Sequence, residues 1–310
     1  MRRLAAALSA AALLAAGPEP ASLAVFHQGS WRTFWRSDRP PARWAGADPS
    51  LVGALRWHRV ASGIEWCSLR ISCAAPVWRS KLIVVRLDPR EAALTLDLDL
   101  SREDARPAWN LERAPKDALL AVNAGQFVGA MPWGWVVIDG KQHLRPGSGP
   151  LASAIAIDAQ GRVRWSHGAP FPESPDIVTG FQSYPTLLSG HGVIPRELRT
   201  PGSGVSLTHR DARLALGETR DGRLLIVMTR FDAIGGAIGG FPLGPTTPEM
   251  AAIMGALGAS DAVMLDGGIS AQMLLRDATG QHHLEWHGLR KVPLALIVRE
   301  RQRISSSDGR

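Results

Sequence analysis

Residues 262–270 read Ala-Val-Met-Leu-Asp-Gly-Gly-Ile-Ser, an apolar run that ends at a carboxylate, two glycines and a hydroxyl. Four apolar residues before a turn signal are typical of a strand buried on both faces. Such a strand places Asp266 at its end, where the glycines allow backbone or ligand to approach closely. Asp-Gly is also a common hairpin turn, as at Asp139-Gly140 and Asp221-Gly222, so the pattern alone leaves Asp266 either functional or a turn former.

Short strand-like runs bounded by turn signals continue outward from this stretch. They are Lys81–Leu87, Ala93–Leu98, Leu119–Val122, Trp135–Ile138, Ala154–Ile157, Arg213–Leu216, Leu224–Met228, Ala262–Leu265 and Leu294–Val298. Helical patterns are few, and the clearest is Pro248–Leu257, which has an apolar face. Thr246 and Glu249 form a capping box at its start, which favours a structural role for Glu249 over catalysis. We therefore predict an α+β fold with a strand-rich, mixed-sheet core.

The N-terminus predicts export. Arg2 and Arg3 precede the apolar run Leu4–Ala16, a pattern typical of a secretory signal peptide and too short to span a membrane comfortably. Small residues at 21–24 offer a cleavage site, and cleavage after Gly17 is the alternative. The mature protein is then expected to be periplasmic or secreted, without stable membrane insertion.

The remaining length suits one large domain. We expect residues 1–24 to be the signal peptide, 25–54 an irregular lead-in, 55–300 the domain, and 301–310 a disordered tail. Cys67 and Cys73 would lie roughly 20 Å apart on one straight strand, beyond the reach of a disulfide. A turn between them would permit a bridge, so their spacing leaves the pairing open.

The charge distribution and the motifs argue against nucleic-acid binding and against a metal site. The formal net charge is +7, but the arginines are scattered, with no basic stripe or zinc-finger spacing, so we predict no nucleic-acid partner. The same charge suits an anionic substrate. His283, Glu285 and His287 alternate as on a solvated strand face, and no H-E-x-x-H or P-loop is present. We therefore predict no metal and no cofactor.

Other polar residues occupy positions resembling that of Asp266. Leu119–Val122 ends at Asn123, which can hydrogen-bond a sugar hydroxyl or phosphate oxygen, or stabilise a turn. Arg213 opens another strand and can hold phosphate bidentately, and Asp211 can orient it or pair with it on the surface. Nearby Trp133 and Trp135 are candidates for stacking on a sugar ring.

Taken in order, these segments resemble the phosphodiester glycosidase family. Its members show N-G-G-F-F, P-x-G-x-V-I-x-x-G-K, R-T-A-I-G, G-x-T-x-x-E-x-A and L-D-G-G-G-S-S. The counterparts here are Asn123–Phe127, Pro132–Lys141, Arg213–Gly217, Gly244–Ala251 and Leu265–Ala271. The departures are Ala124, Gln126, Ile269 and Ala271, whereas the retained residues are Asn123, Gly125, Arg213, Asp266, Gly267, Gly268 and Ser270.

The resemblance implies an exported hydrolase that cleaves the sugar C1–O bond of a sugar-1-phosphodiester or a related envelope glycan. A departing phosphate monoester is already a stable anion, so it needs less help from a general acid than an ordinary glycosidase leaving group. Asp266 would stabilise the oxocarbenium-like centre or activate water, and Arg213 would hold the phosphate. Asn123 is the third predicted catalytic residue.

The predicted substrate contacts are Gly125, Gln126, Gly267, Gly268 and Ser270. The predicted partner is a carbohydrate or sugar phosphate. Two alternatives remain open: a non-catalytic glycan-binding envelope protein, and a phosphodiesterase that cuts the P–O bond.

Overall fold

A computed structural model describes residues 20–73, 79–100, 106–169, 171, 174–231 and 243–301. Most of the predicted signal peptide and all of the predicted tail except residue 301 lie outside this range. Among the described residues, no helix combines the length and apolar character that a membrane span requires.

Strands dominate the described chain. They are β1 (Ser22–His27), β2 (Ser30–Arg36), β3 (His58–Ala61), β4 (Ile64–Cys73), β5 (Arg79–Leu87), β6 (Ala92–Leu98), β7 (Leu120–Asn123), β8 (Phe127–Val128), β9 (Met131–Pro132), β10 (Val136–Ile138), β11 (Lys141–Leu144), β12 (Ser153–Asp158), β13 (Val163–His167), β14 (Ile177–Ser183), β15 (Thr186–Leu188), β16 (Leu214–Thr219), β17 (Leu224–Phe231), β18 (Ala259–Met264), β19 (Met273–Arg276), β20 (His283–Trp286) and β21 (Leu294–Glu300). The α-helices are α1 (Pro49–Val52) and α2 (Thr247–Ala256). Short 3-10 turns span Leu111–Arg113, Arg196–Leu198 and Gly268–Ser270.

The strands form three main sheets. The largest has nine strands in the order β15-β18-β16-β17-β5-β4-β1-β2, with β3 paired to β4. Two five-stranded sheets have the orders β11-β10-β14-β12-β13 and β20-β19-β7-β21-β6, and β8 and β9 form a small hairpin. The strand-rich α+β class is confirmed. Within the described residues every strand pairing is antiparallel rather than mixed.

The nine-stranded sheet is covered on both faces. On β5, Leu82 and Val84 face the core shared with α2, whereas Ile83 and Val85 face the core shared with the five-stranded sheets. Side chains alternate along a strand, so two opposed cores require apolar residues at successive positions. Continuous apolar runs such as Ala262–Leu265 therefore occur in this antiparallel sheet because both of its faces are covered.

Helix α2 forms where the capping sequence predicts it. Thr246 accepts from the backbone N–H of Glu249, and the Glu249 carboxylate accepts from the backbone N–H of Thr246. The helix is buried around its whole circumference rather than on one face. Arg210 forms a bidentate pair with Glu249 at 2.8 and 2.9 Å, so this carboxylate is also a structural anchor.

Residues 25–54 differ from the irregular lead-in predicted for them. Strands β1 and β2 form a hairpin whose β1 also pairs with β4, and helix α1 follows. Leu23 and Val25 on β1 are fully buried. The prediction of irregular structure was wrong because neither strand alternates regularly between buried and exposed residues, so the sequence carries no period-two strand pattern.

Strand β4 also decides the question of the cysteines. Cys67 and Cys73 both lie on this one strand, are buried in the same core, and are free thiols. The extended backbone between them prevents the turn that a bridge requires.

Polar side chains link edge strand β13 to the nine-stranded sheet. Trp165 Nε1 donates to Glu218 Oε2 at 2.7 Å, and His167 Nε2 lies 2.9 Å from Asp261 Oδ1. His167 Nδ1 is in turn 2.8 Å from Ser153 Oγ. This Ser-His-Asp order resembles a catalytic triad, but Ser153 is fully buried and cannot reach a substrate, so the arrangement is a structural link.

Candidate active site

The ends of β18 and β7 meet, as their similar sequences predict. The Asp266 backbone N–H donates to Ala124 O at 3.2 Å, and the Leu265 N–H donates to Leu214 O at 2.8 Å. The loop after β18 therefore lies between the segment that follows β7 and the start of β16. All three predicted catalytic residues belong to these segments.

Asn123 holds this loop in place through its side-chain amide. Its Nδ2 donates to Asp266 O at 2.6 Å, and its Oδ1 accepts from the Gln272 N–H at 2.9 Å. The side chain is fully buried, so both amide ends serve the protein backbone. Asn123 is thereby a positioning residue for the Asp266 loop in this structure, and its predicted catalytic role stays a prediction.

The two glycines after Asp266 allow close backbone packing. A Cβ on Gly267 would lie 2.6 Å from Ala212 O, and the Gly268 N–H donates to the same oxygen at 2.7 Å. Gly268 also has φ +58°, in the left-handed region that favours glycine. Both glycines are thus required by the loop geometry. Their contact with substrate stays a prediction.

Asp266 lies at the centre of a polar cluster. Arg290 Nη2 lies 3.3 Å from its Oδ2, and the Ser270 hydroxyl lowers the pKa of the same carboxyl group. The Arg290 Nε also donates to Ser270 Oγ at 2.5 Å. Burial raises the pKa of Asp266 above its usual range, while the Ser270 hydrogen bond and the Arg290 charge oppose that rise.

Arg290 combines a fixed position with access to solvent. Its guanidinium carbon lies 4.6 Å from the centroid of the Phe127 ring, a cation–π arrangement, while the side chain is 46% exposed. Asp266 is only 11% exposed at the same contact. A cation that is pre-positioned beside a carboxylate and open to solvent can bind an anionic group of a ligand.

Arg213 adopts a different arrangement from the predicted one. Its Nε donates to Pro245 O at 2.9 Å and its Nη2 donates to His209 O at 2.6 Å. These bonds tie the segment before β16 to the segment before α2. Its predicted role as the phosphate-binding cation stays a prediction, and the contacts shown here are structural.

Gly125 and Gln126 also contact the protein at this point. A Cβ on Gly125 would lie 2.5 Å from Gln182 O, so the glycine permits close approach to β14. Gln126 Nε2 donates to Leu265 O at 3.1 Å. The buried Ser270 accepts from Arg290 Nε and acts on the Asp266 carboxyl group. Their predicted substrate contacts remain predictions.

Sequence analysis missed Arg290 and did not recognise Asp211 as a neighbour of Asp266. Arg290 lies in an exposed loop after β20, with no periodicity or motif to distinguish it from other arginines. Asp211 lies against Gly268, where an added Cβ would be 2.7 Å from Asp211 Oδ2. This proximity arises between residues far apart in the chain, so sequence spacing does not report it.

The predicted sugar-stacking tryptophans differ in accessibility. Trp135 is 4% exposed and donates from Nε1 to Gln142, although it also lines a cavity together with Phe171 and Ile177. Trp133 is half-buried and packs edge-on against Tyr184 with ring centroids 4.6 Å apart. Sugar stacking therefore stays a prediction for both tryptophans.

One cavity in the described structure, away from this cluster, has no ionisable side chain in its lining. It has a volume of about 530 Å³ and is lined by Trp135, Phe171, Ile177 and neighbouring uncharged residues. Glu285 pairs with His287 at 2.9 Å, and no group of three potential metal-ligating side chains occurs in the described parts of the chain.

Comparison with known proteins identifies the family. The phosphodiester glycosidase family model matches residues 116–299, more than half of the chain. The chain belongs to the phosphodiester glycosidase family. The matched region contains Asn123, Asp211, Arg213, Asp266 and Arg290, and no curated protein sequence matches the chain.

Two solved structures with TM-scores of 0.50 or above show the same fold as this chain. The catalytic domain of zebrafish N-acetylglucosamine-1-phosphodiester alpha-N-acetylglucosaminidase, auto-inhibited by its pro-peptide, is 16% identical with a TM-score of 0.56, covering 83% of this chain and 87% of that one. A Burkholderia pseudomallei protein is 16% identical with a TM-score of 0.50, covering 75% and 74%. A hypothetical protein from Synechocystis is 16% identical with a TM-score of 0.47, covering 91% and 68%.

Proposed function

We propose that this protein is a glycosidase that hydrolyses the C1–O bond of a sugar-1-phosphodiester. The observation that carries the proposal is the contact between the buried Asp266 carboxylate and the exposed Arg290 guanidinium. A carboxylate suits the positive charge that develops at the sugar carbon, and a guanidinium suits the departing phosphate. Family membership and the fold shared with the zebrafish enzyme support the same reaction class.

The roles of the residues follow from their contacts. Asp266 stabilises the oxocarbenium-like centre, and Ser270 favours the charged form of its carboxylate. Arg290 binds the phosphate oxygens, because its guanidinium is accessible, whereas that of Arg213 donates to two backbone carbonyls. Asn123 and Arg213 position the surrounding loops.

The test is product analysis in oxygen-18 water with the methyl ester of α-N-acetylglucosamine 1-phosphate as substrate. Cleavage of the C1–O bond places the label on the free sugar and releases unlabelled methyl phosphate. Cleavage of the P–O bond places the label on phosphate and supports the phosphodiesterase alternative. Binding without turnover supports the glycan-binding alternative.

Two variants connect the reaction to the site. We expect Asp266→Asn to lower kcat by about 10²–10³, the usual effect of losing one group that stabilises charge in the transition state. Asp139→Asn is the matched control, since it removes a carboxylate at an exposed turn of the β10–β11 hairpin. Full activity of Asp266→Asn would contradict the proposal.

We also propose that the protein is exported, supported by the Arg-led apolar N-terminus. Strand β1 begins at Ser22 and buries Leu23, so cleavage at the earlier of the predicted positions, after Gly17, keeps the strand whole. Cleavage after Ala24 would remove the first half of β1. Intact-mass measurement of protein from the native host tests both the export and the cleavage position.

A further inference from the structure

A second carboxylate, that of Asp211, lies against the loop that carries Asp266. A Cβ on Gly268 would be 2.7 Å from Asp211 Oδ2 and 3.2 Å from Oδ1, so both carboxylate oxygens lie close to the glycine. The Gly268 N–H donates to Ala212 O, which fixes this approach. The negative charge of Asp211 also acts on Asp266, adding to the larger effect of burial in raising the pKa of Asp266.

Asp211 is more accessible than Asp266. Its side chain is 22% exposed, compared with 11% for Asp266. Oδ1 accepts from the Ala212 N–H at 2.8 Å, and Oδ2 lies 3.6 Å from Nε2 of the exposed His209. Burial raises the pKa of Asp211, and the nearby Arg213 charge opposes the rise. Asp211 is thus a carboxylate with raised proton affinity and a path to solvent.

We propose that Asp211 is the general base that activates the attacking water in this site, and that His209 passes the abstracted proton to solvent. The proposal rests on the glycosidase function proposed above. Asp211 removes a proton from water as the water oxygen forms a bond to the sugar C1. The C1–O bond breaks at the same time, and its electron pair leaves with the phosphate monoester held by Arg290.

The nature of the leaving group explains why Asp266 and Asp211 have different roles. Ordinary glycosidases use one carboxyl group as an acid toward the leaving oxygen. A phosphate monoester leaves as a stable anion, so the second carboxylate is available as a base. Asp266 contacts Arg290, the proposed phosphate ligand, whereas Asp211 lies beside the exposed His209.

The experiment compares wild type, Asp211→Asn and Asp211→Ala on the same methyl phosphodiester, with and without sodium azide. Azide is an anionic nucleophile that needs no deprotonation, so it replaces the activated water. We expect Asp211→Asn to lower kcat by about 10²–10⁴ with little change in KM. Azide should accelerate Asp211→Ala and yield a glycosyl azide, detectable by mass spectrometry, whereas Asp266→Asn should not be rescued.

Controls separate this inference from the function on which it rests. Asp139→Asn should retain wild-type kcat, and the melting temperatures of the Asp211 variants should show that they fold. Wild-type protein that releases no free sugar refutes the proposed function itself. Wild-type release combined with an active Asp211→Asn, or with Asp211→Ala that azide fails to accelerate, overturns only the role of Asp211.

Discussion

Replacing Glu218 with Gln should make the stability of the protein less dependent on pH. Glu218 lies on β16 and accepts from Trp165 Nε1 of β13, joining two sheets. Burial raises the pKa of Glu218 from 4.5 to about 7, the Trp165 hydrogen bond opposes the rise, and the Asp261 charge adds to it. Gln keeps an acceptor for Trp165 but cannot ionise.

The sign and size of the effect follow from this raised pKa. The folded protein binds the proton more tightly than the unfolded chain, so the stabilisation is complete below pH 4.5 and is lost as pH rises through about 7. A rise of this size corresponds to at most about 3.4 kcal/mol, since one pKa unit is about 1.36 kcal/mol. Glu218 is only partly buried, so solvent screening reduces the expected value to about 1–2 kcal/mol.

Urea unfolding at pH 5 and pH 8 measures the effect. The free energy of unfolding should fall between these pH values by about 1–2 kcal/mol more in wild type than in Glu218→Gln. Glu300→Gln, which removes an exposed carboxylate at the end of β21, is the control for one lost charge. Equal pH dependence in wild type and Glu218→Gln would refute the reasoning.

Three further predictions concern the loop and the N-terminus. Asn123→Ala leaves two buried backbone groups without partners and should lower the free energy of unfolding by about 2–5 kcal/mol. Asn110→Ala, which removes only an exposed hydrogen bond to Glu112, should change it by under about 0.5 kcal/mol in the same denaturant titration. Gly268→Ala should reduce turnover, because the added Cβ displaces the Asp211 carboxylate. Gly280→Ala is the control and should leave turnover unchanged. Gly280 also has positive φ, but an added Cβ there would lie no closer than 3.9 Å to another atom. Intact-mass measurement should show that the mature chain retains Ser22, and a start at residue 25 would contradict the role of β1 as a core strand.

Local sequence predicts the elements of this fold better than their pairing. The capping box at Thr246 and Glu249 depends on contacts within one helical turn, and it is present as predicted. The apolar run before Asp266 is likewise a strand. The antiparallel pairing of β18 with β15 and β16 depends on segments that are distant in the sequence. A strand buried on both faces has the same apolar sequence pattern whether its neighbours are parallel or antiparallel.

The candidate site shows the same limit. Asp266 and Asn123 mark strand ends, so their positions are visible in the sequence, and their segments do meet. Arg290 is an arginine in an exposed loop, and only the folded chain shows its contacts with Asp266 and Phe127. Arg213 matches the family pattern, yet its side-chain partners are carbonyls of the surrounding loops, which no local pattern encodes.

The two thiols on β4 make the order of folding and oxidation important. In the unfolded chain, residues six positions apart meet readily, so an oxidant can join Cys67 to Cys73 in a short loop. That loop cannot straighten into β4, because the native strand holds both thiols apart in the same core. In an oxidising compartment, β4 must therefore pair with its neighbours before the thiols react. Production in a reducing cytoplasm, or with serine at both positions, would avoid this trap.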